Sequence, residues 1–183
     1  MKFIETPLKG AYIVELEPFV DERGLFVRIF CRKEFAKIGF SKQINQINHS
    51  VTIQKGAIRG MHYQLPPACE TKIIRCVQGK VFDVMVDIRA RSHTFMHWYG
   101  VELSEDNMRM VYIPEGFTHG FQTLTDSAVL IYHHSALYSP EHERGLRYND
   151  SVLGINWPLP AGVISQKDQS YPLLDDNFKG IEI

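Results

Sequence analysis

Two histidine-centred segments carry the residue types best suited to moving a proton. One is Arg59-Gly60-Met61-His62-Tyr63-Gln64 and the other is Pro114-Glu115-Gly116-Phe117-Thr118-His119-Gly120. Imidazole titrates close to neutrality, so a positioned histidine can take up and return a proton at physiological pH. Arg59 precedes His62 by three positions and Lys72 follows it by ten, which supplies two cations for an anionic ligand. Together these residue types suit chemistry on a phosphorylated substrate that carries an acidic carbon.

Such side chains need rigid elements behind them. Short β-rich runs separated by turn residues dominate the chain, the pattern of an all-β sandwich or barrel, and helical periodicity is scarce. Strands are expected over Ala11–Leu16, Leu25–Phe30, Ala57–Tyr63, Thr71–Val77, Val81–Ile88, Trp98–Leu103, Met110–Ile113, Gly120–Leu124 and Val129–His134, with Gly79 turning the chain between two of them. In the Val81–Ile88 run, Phe82, Val84, Val86 and Ile88 form one apolar face and Asp83 and Asp87 lie on the other, so that strand is expected to meet a core on one side. The same alternation puts Lys72 with Ile74 and Cys76, and Tyr132 with Leu130 and His134. Lys72 then points into a barrel mouth or snorkels, and the Tyr132 phenol needs a partner. A short helix is expected over Lys33–Ile38, and the tail from Pro158 is expected to carry turns or one short helix. Many short strands around an interior histidine predict a double-sheet jelly roll of the cupin type, a double-stranded β-helix with short peripheral helices, over one domain of residues 1–183.

Composition narrows the partners. A formal charge of -1 and an isoelectric point near 6.7 argue against a nucleic-acid surface, which concentrates Lys and Arg. No apolar run is long enough for a membrane span and the first residues lack a signal-peptide core, so a cytoplasmic protein is expected, with no membrane partner. Cys31, Cys69 and Cys76 are odd in number and lack metal-site spacing, which reads as reduced, partly buried thiols. His93, His97, His133, His134 and His142 read as ordinary core or surface histidines.

Further segments complete a pattern: Asp21-Glu22-Arg23-Gly24, Asn48-His49-Ser50, Glu70-Thr71-Lys72, Val86-Asp87-Ile88-Arg89, Tyr138-Ser139-Pro140, Gly154-Ile155-Asn156-Trp157-Pro158 and Lys167-Asp168. With the two histidine segments, they make the chain resemble the dTDP-4-dehydrorhamnose 3,5-epimerase family, cupin-fold nucleotide-sugar epimerases, over nearly its whole length. The resemblance implies epimerisation at C3 and C5 of a nucleoside-diphosphate 4-keto-6-deoxysugar through an enolate, with no cofactor and no metal. It implies His62 as base, Asp168 as its carboxylate partner, Lys72 beside the keto oxygen and Tyr132 as proton donor. It assigns Arg23, Arg59 and Lys167 to the diphosphate, Gln46, Asn48, His119 and Glu143 to the rest of the ligand, and Tyr138 to the nucleotide base. It also implies a homodimer that exchanges N-terminal strands, so that Arg23 and Arg28 serve a partner's pocket.

The resemblance departs at Arg28, where the family carries an acidic residue of the substrate pocket. Cytosine N3 accepts a hydrogen bond where thymine N3–H donates one, so an arginine there brings CDP-linked sugars into consideration beside dTDP-linked ones. A single-carbon epimerase uses the same motif residues and stays open. Two readings from other classes compete. A metal-dependent cupin would use His62 and His119, yet Gln64 stands where metal cupins usually have a second histidine. A non-catalytic sugar-nucleotide module would lack the base or the acid, and His62, Lys72, Tyr132 and Asp168 are all present.

Overall fold

The computed structural model describes residues 1–183 as two antiparallel sheets with a separate hairpin. Thirteen strands follow in chain order: β1 Lys2–Glu5, β2 Tyr12–Glu15, β3 Phe19–Asp21, β4 Gly24–Phe26, β5 Gln46–Thr52, β6 Ile58–Gln64, β7 Lys72–Gln78, β8 Lys80–Asp87, β9 Trp98–Ser104, β10 Met110–Ile113, β11 Phe117–Thr123, β12 Ala128–His134 and β13 Glu143–Gly145. Helix α1 spans Arg32–Phe35 and runs into a 3-10 turn at Ala36–Ile38, and α2 spans Gln166–Ser170. One sheet orders its strands β1-β2-β10-β7-β12-β5, the other β13-β6-β11-β8-β9, and β3-β4 pairs with neither. Sequence neighbours β7 and β8 lie in opposite sheets, so the chain crosses repeatedly between layers, as the jelly roll requires.

Three apolar clusters explain why the strands read as dense hydrophobic runs. Ile74, Val81, Met85, Leu103, Val111, Phe121 and Leu130 fill the space between the sheets. Met61, Val84, Val86 and Ile88 point outward and are roofed by Leu146, Leu153, Trp157 and Ile181 from the C-terminal third. Val14, Ile73, Met110 and Tyr112 on the outside of the six-stranded sheet are covered by Phe35 and Phe40, which explains the helical turn at 32–38. Strand β8 is therefore buried on both faces, not on one as its alternation implied. Asp83 and Asp87 have no exposed surface, because Asp83 meets His119, and Asp87 is closed in by Arg89, Ser92 and Thr94.

Two glycines permit the approach of strands that matters for the site. Gly79 turns β7 into β8 with φ +70, where a Cβ would meet Ser127 O at 2.8 Å. Gly60 has φ +125, and a Cβ there would sit 2.5 Å from Gly120 Cα, so the two histidine strands β6 and β11 can come together only with glycine at this point. The three cysteines are unpaired, as expected, and burial pushes the Cys76 thiol up to about 11.

Candidate active site

In the β6–β11 ladder His62 and His119 are direct cross-strand partners, and the register shifts between His119 and Phe121. Strand β11 begins at Phe117 rather than Gly120, so His119 is a strand residue and not part of a preceding loop. Both histidines face a cavity of about 520 Å³ that opens between the sheets, with β6, β11 and β13 on one side and β5, β7 and β12 on the other.

The fold brings Asp168 to His62 from the far end of the sequence. A parallel bridge joins Ile58 to Ile164, and Ser165 then caps α2 by accepting a hydrogen bond from Asp168 N at 3.0 Å. That cap leaves the Asp168 carboxylate free to turn inward. Its Oδ1 lies 2.8 Å from His62 Nε2, and its Oδ2 accepts from Gly60 N at 3.1 Å. Burial works to raise the Asp168 pKa, but His62, the Gly60 amide and Ser165 outweigh it and hold the carboxyl below the usual aspartate range. An ionised Asp168 fixes the Nε2–H tautomer and leaves His62 Nδ1 as the basic nitrogen. The His62 side chain is 33% exposed while Asp168 is only 4% exposed, so the imidazole meets the cavity and its carboxylate partner is nearly shut off from solvent.

On the opposite wall, Lys72 points inward, as one of its two expected orientations requires. Its Nζ donates to His62 O at 3.1 Å and lies 3.3 Å from Glu70 Oε1. An ammonium has three donors, so one remains for a ligand oxygen. Tyr132 lies between two imidazoles, stacked on His134 at 5.9 Å and edge-on to His119 at 6.1 Å. Burial, helped by Asp83, pushes its phenol well above the usual tyrosine range, so it stays protonated and able to donate.

His119 completes the interior and differs from His62. Its Nε2 lies 2.8 Å from Asp83 Oδ2, with both side chains buried. Burial lowers the His119 pKa against the pull of Asp83, so this ring is neutral near pH 7.

At the rim, Arg59 Nε donates to Thr52 Oγ1 at 2.8 Å and Nη2 to Val51 O at 3.2 Å, which spans the gap between the sheets and stations a guanidinium at the mouth. Glu143 Oε2 accepts from Tyr138 Oη at 2.7 Å and from Lys167 Nζ at 2.5 Å. Asn48 lines the cavity, and Gln46 stands just behind it, bonded to Asn48 Oδ1 at 3.0 Å. Two expected site residues are not gathered here. Arg23 and Arg28 belong to the exposed hairpin and the segment after it. Arg23 pairs with Asp21 at 2.5 Å, and Arg28 pairs with Glu34 at 3.4 Å rather than with Asp21 or Glu22. In its own chain, therefore, Arg28 gives no support to CDP-sugar selection.

Glu70 and His134 were missed as pocket residues. Glu70 Oε2 lies 2.7 Å from His134 Nδ1, and both side chains line the cavity. The signal was present: alternation places His134 on the face of Tyr132, and Glu70 precedes Lys72 by two positions. No group of three or more His, Cys, Asp or Glu side chains is arranged to hold a metal ion, and His62 and His119 each direct Nε2 to a carboxylate.

A jelly-roll barrel whose mouth holds a carboxylate-backed histidine, an ammonium and a protonated phenol has the parts of an acid–base isomerase of the cupin type. The dTDP-4-dehydrorhamnose 3,5-epimerase family profile matches residues 5–176. A Shigella flexneri dTDP-4-dehydrorhamnose 3,5-epimerase is 44% identical over 169 residues, covering 92% of this chain and 93% of that protein. A Legionella pneumophila dTDP-6-deoxy-D-glucose-3,5-epimerase, solved with dTDP-4-keto-L-rhamnose, is 38% identical with a TM-score of 0.92, covering 100% of this chain and 98% of the other. A 3'-monoepimerase from Streptomyces bikiniensis, solved with dTDP-quinovose, is 33% identical with a TM-score of 0.85, covering 92% and 85%. The chain belongs to the dTDP-4-dehydrorhamnose 3,5-epimerase family, and with it to the carbohydrate epimerases.

Proposed function

We propose that this protein epimerises a nucleoside-diphosphate 4-keto-6-deoxysugar at C3 and C5, converting dTDP-4-dehydro-6-deoxy-D-glucose to dTDP-4-dehydro-L-rhamnose for deoxysugar and polysaccharide synthesis. The observation that carries this reading is the placement of His62, Lys72 and Tyr132 around one cavity, with Asp168 behind His62. His62 Nδ1 removes the proton from the carbon beside the keto group, and the imidazolium that forms is stabilised by Asp168. The electron pair moves into the C–O unit, where the free donor of Lys72 meets the developing enolate oxygen. Tyr132 returns a proton from the other face, and the configuration inverts. Nothing is oxidised or reduced, so the reaction needs no cofactor.

Arg59 and Lys167 hold the diphosphate, Arg59 through its planar fork. Tyr138 stacks on the base, while Asn48, Gln46, Glu143 and His119 shape the rest of the pocket. The working form is a homodimer. Phe19, Val20, Leu25 and Phe26 on the β3–β4 hairpin are all more than half exposed, an apolar surface that suits burial against a second copy. Such an exchange would also carry Arg23 and Arg28 to a partner's pocket. The likeness to a monoepimerase supports a second reading, in which only one carbon is inverted. No helix is long and apolar enough to cross a membrane, which accords with a cytoplasmic setting for this chemistry.

The test is proton NMR of the purified protein with dTDP-4-keto-6-deoxyglucose in D₂O. Solvent deuterium at both C3 and C5 is expected. Deuterium at one carbon selects the monoepimerase, and none at either overturns the epimerase reading.

A further inference from the structure

The wall opposite His62 contains a hydrogen-bond relay that runs in one direction. Tyr138 N–H donates to Gln46 Oε1 at 3.1 Å. Gln46 Nε2 donates to Asn48 Oδ1 at 3.0 Å, and Asn48 Nδ2 lies 3.3 Å from His134 Nε2. His134 Nδ1 meets Glu70 Oε2 at 2.7 Å, and Lys72 Nζ meets Glu70 Oε1 at 3.3 Å.

A backbone amide can only donate, so it fixes which way Gln46 faces, and Gln46 in turn fixes Asn48. Asn48 then presents a donor to His134, which must accept at Nε2 and carry its hydrogen on Nδ1. That hydrogen goes to Glu70, whose carboxylate receives donors from both sides. Burial works to raise the Glu70 pKa, and Lys72 with His134 more than offset it, so the group is ionised. The ring so fixed is the one stacked on Tyr132, with planes 13° apart.

We propose that Glu70 and His134 are positioning residues for the epimerisation. The relay aims the one uncommitted hydrogen of Lys72 and holds the Tyr132 phenol, so the enolate stabiliser and the proton donor sit on one rigid frame. The inference rests on the acid–base reading of Lys72 and Tyr132, while the tautomer it requires is independent of turnover.

Two measurements test it. In protein labelled with ¹⁵N-histidine, long-range ¹H–¹⁵N correlation at pH 7.5 is expected to show His134 in the Nδ1–H form; an Nε2–H form overturns the relay without reference to activity. In steady-state kinetics, Glu70→Gln is expected to lower kcat about ten- to a hundredfold, the loss of a charge-assisted hydrogen bond, with KM within about threefold. His134→Phe, which keeps a ring against Tyr132 but breaks the relay, is expected to lower kcat in the same sense. If both variants keep wild-type kcat, the positioning role is wrong, whereas an inactive wild-type enzyme would count against the epimerase reading instead.

Discussion

Of the three histidine–carboxylate pairs in the barrel, two have their histidines on the neighbouring strands β6 and β11, and these two differ in what surrounds them. His62–Asp168 and His119–Asp83 share the same ring nitrogen and the same 2.8 Å separation. Asp168 also accepts from the Gly60 amide, and His62 opens to the cavity. Asp83 is fully buried with Oδ1 unpartnered, and the His119 side chain is 5% exposed. Pair geometry alone therefore does not make a base. A ring that must gain and lose charge needs solvent or substrate on one side and a satisfied anion on the other, whereas a ring almost wholly buried in the cavity wall is held neutral by the cost of burying its charge.

The difference can be attacked most severely at Asp168. Asp168→Asn keeps the shape but frees the tautomer, and it is expected to lower kcat by about 10²–10⁴ with KM changed far less, measured by steady-state kinetics. The matching change in the more deeply buried pair, Asp83→Asn, should move stability instead. It is expected to cost about 1–3 kcal/mol in urea unfolding, with kcat within about threefold. Equal kinetic losses from the two variants would erase the distinction.

Acid should sharpen it further. Burial lowers the folded-state pKa of His119, so below its ordinary value of about 6.5 the unfolded chain takes up a proton that the folded chain refuses. The stability from a neutral His119 is thus complete above that pH and is lost as pH falls toward the lowered folded value, with a slope of at most about 1.4 kcal/mol per unit. Burial also lowers His133, which adds a slope of the same sign. Urea midpoints at pH 7.5 and 5.5 should therefore fall less steeply in His119→Gln than in the wild type, and parallel slopes would show that His119 is not held neutral. The smallest effect is expected at the exposed rim. Tyr138→Phe removes the bond to Glu143, and a change of about two- to threefold in KM with kcat unchanged is expected from steady-state kinetics, the scale of one exposed hydrogen bond.

Much of this was legible in the residues. The nine expected strands fall on observed ones except that the Leu25–Phe30 run is strand only through Phe26, since an isolated hairpin offers no sheet for its second half. Strand β5 was not legible, and the reason is chemical. Its inward residues Asn48, Ser50 and Thr52 face the cavity, while Ile47 and Val51 point outward and are exposed. A strand that lines a polar pocket inverts the usual pattern and reads as a loop. Strands β1, β3 and β13 have only three or four residues each, too few for alternation to register. His62, Asp168, Lys72 and Tyr132, which the fold gathers at one cavity, were picked out from motif and resemblance. For Glu70 and His134 the alternation and spacing marked each residue singly but not their pairing, because 64 positions separate them and only the β7–β12 register, which sets His134 opposite Lys72, brings them together.

The most direct test of the account compares His62→Ala with His119→Gln in the deuterium exchange assay in D₂O, after both are shown to be folded. Exchange at C3 and C5 should vanish in His62→Ala and persist within about tenfold of wild type in His119→Gln, since only an imidazole that can change charge serves as the base. Wild-type exchange in His62→Ala, or equal abolition in both, would contradict the assignment of the two pairs.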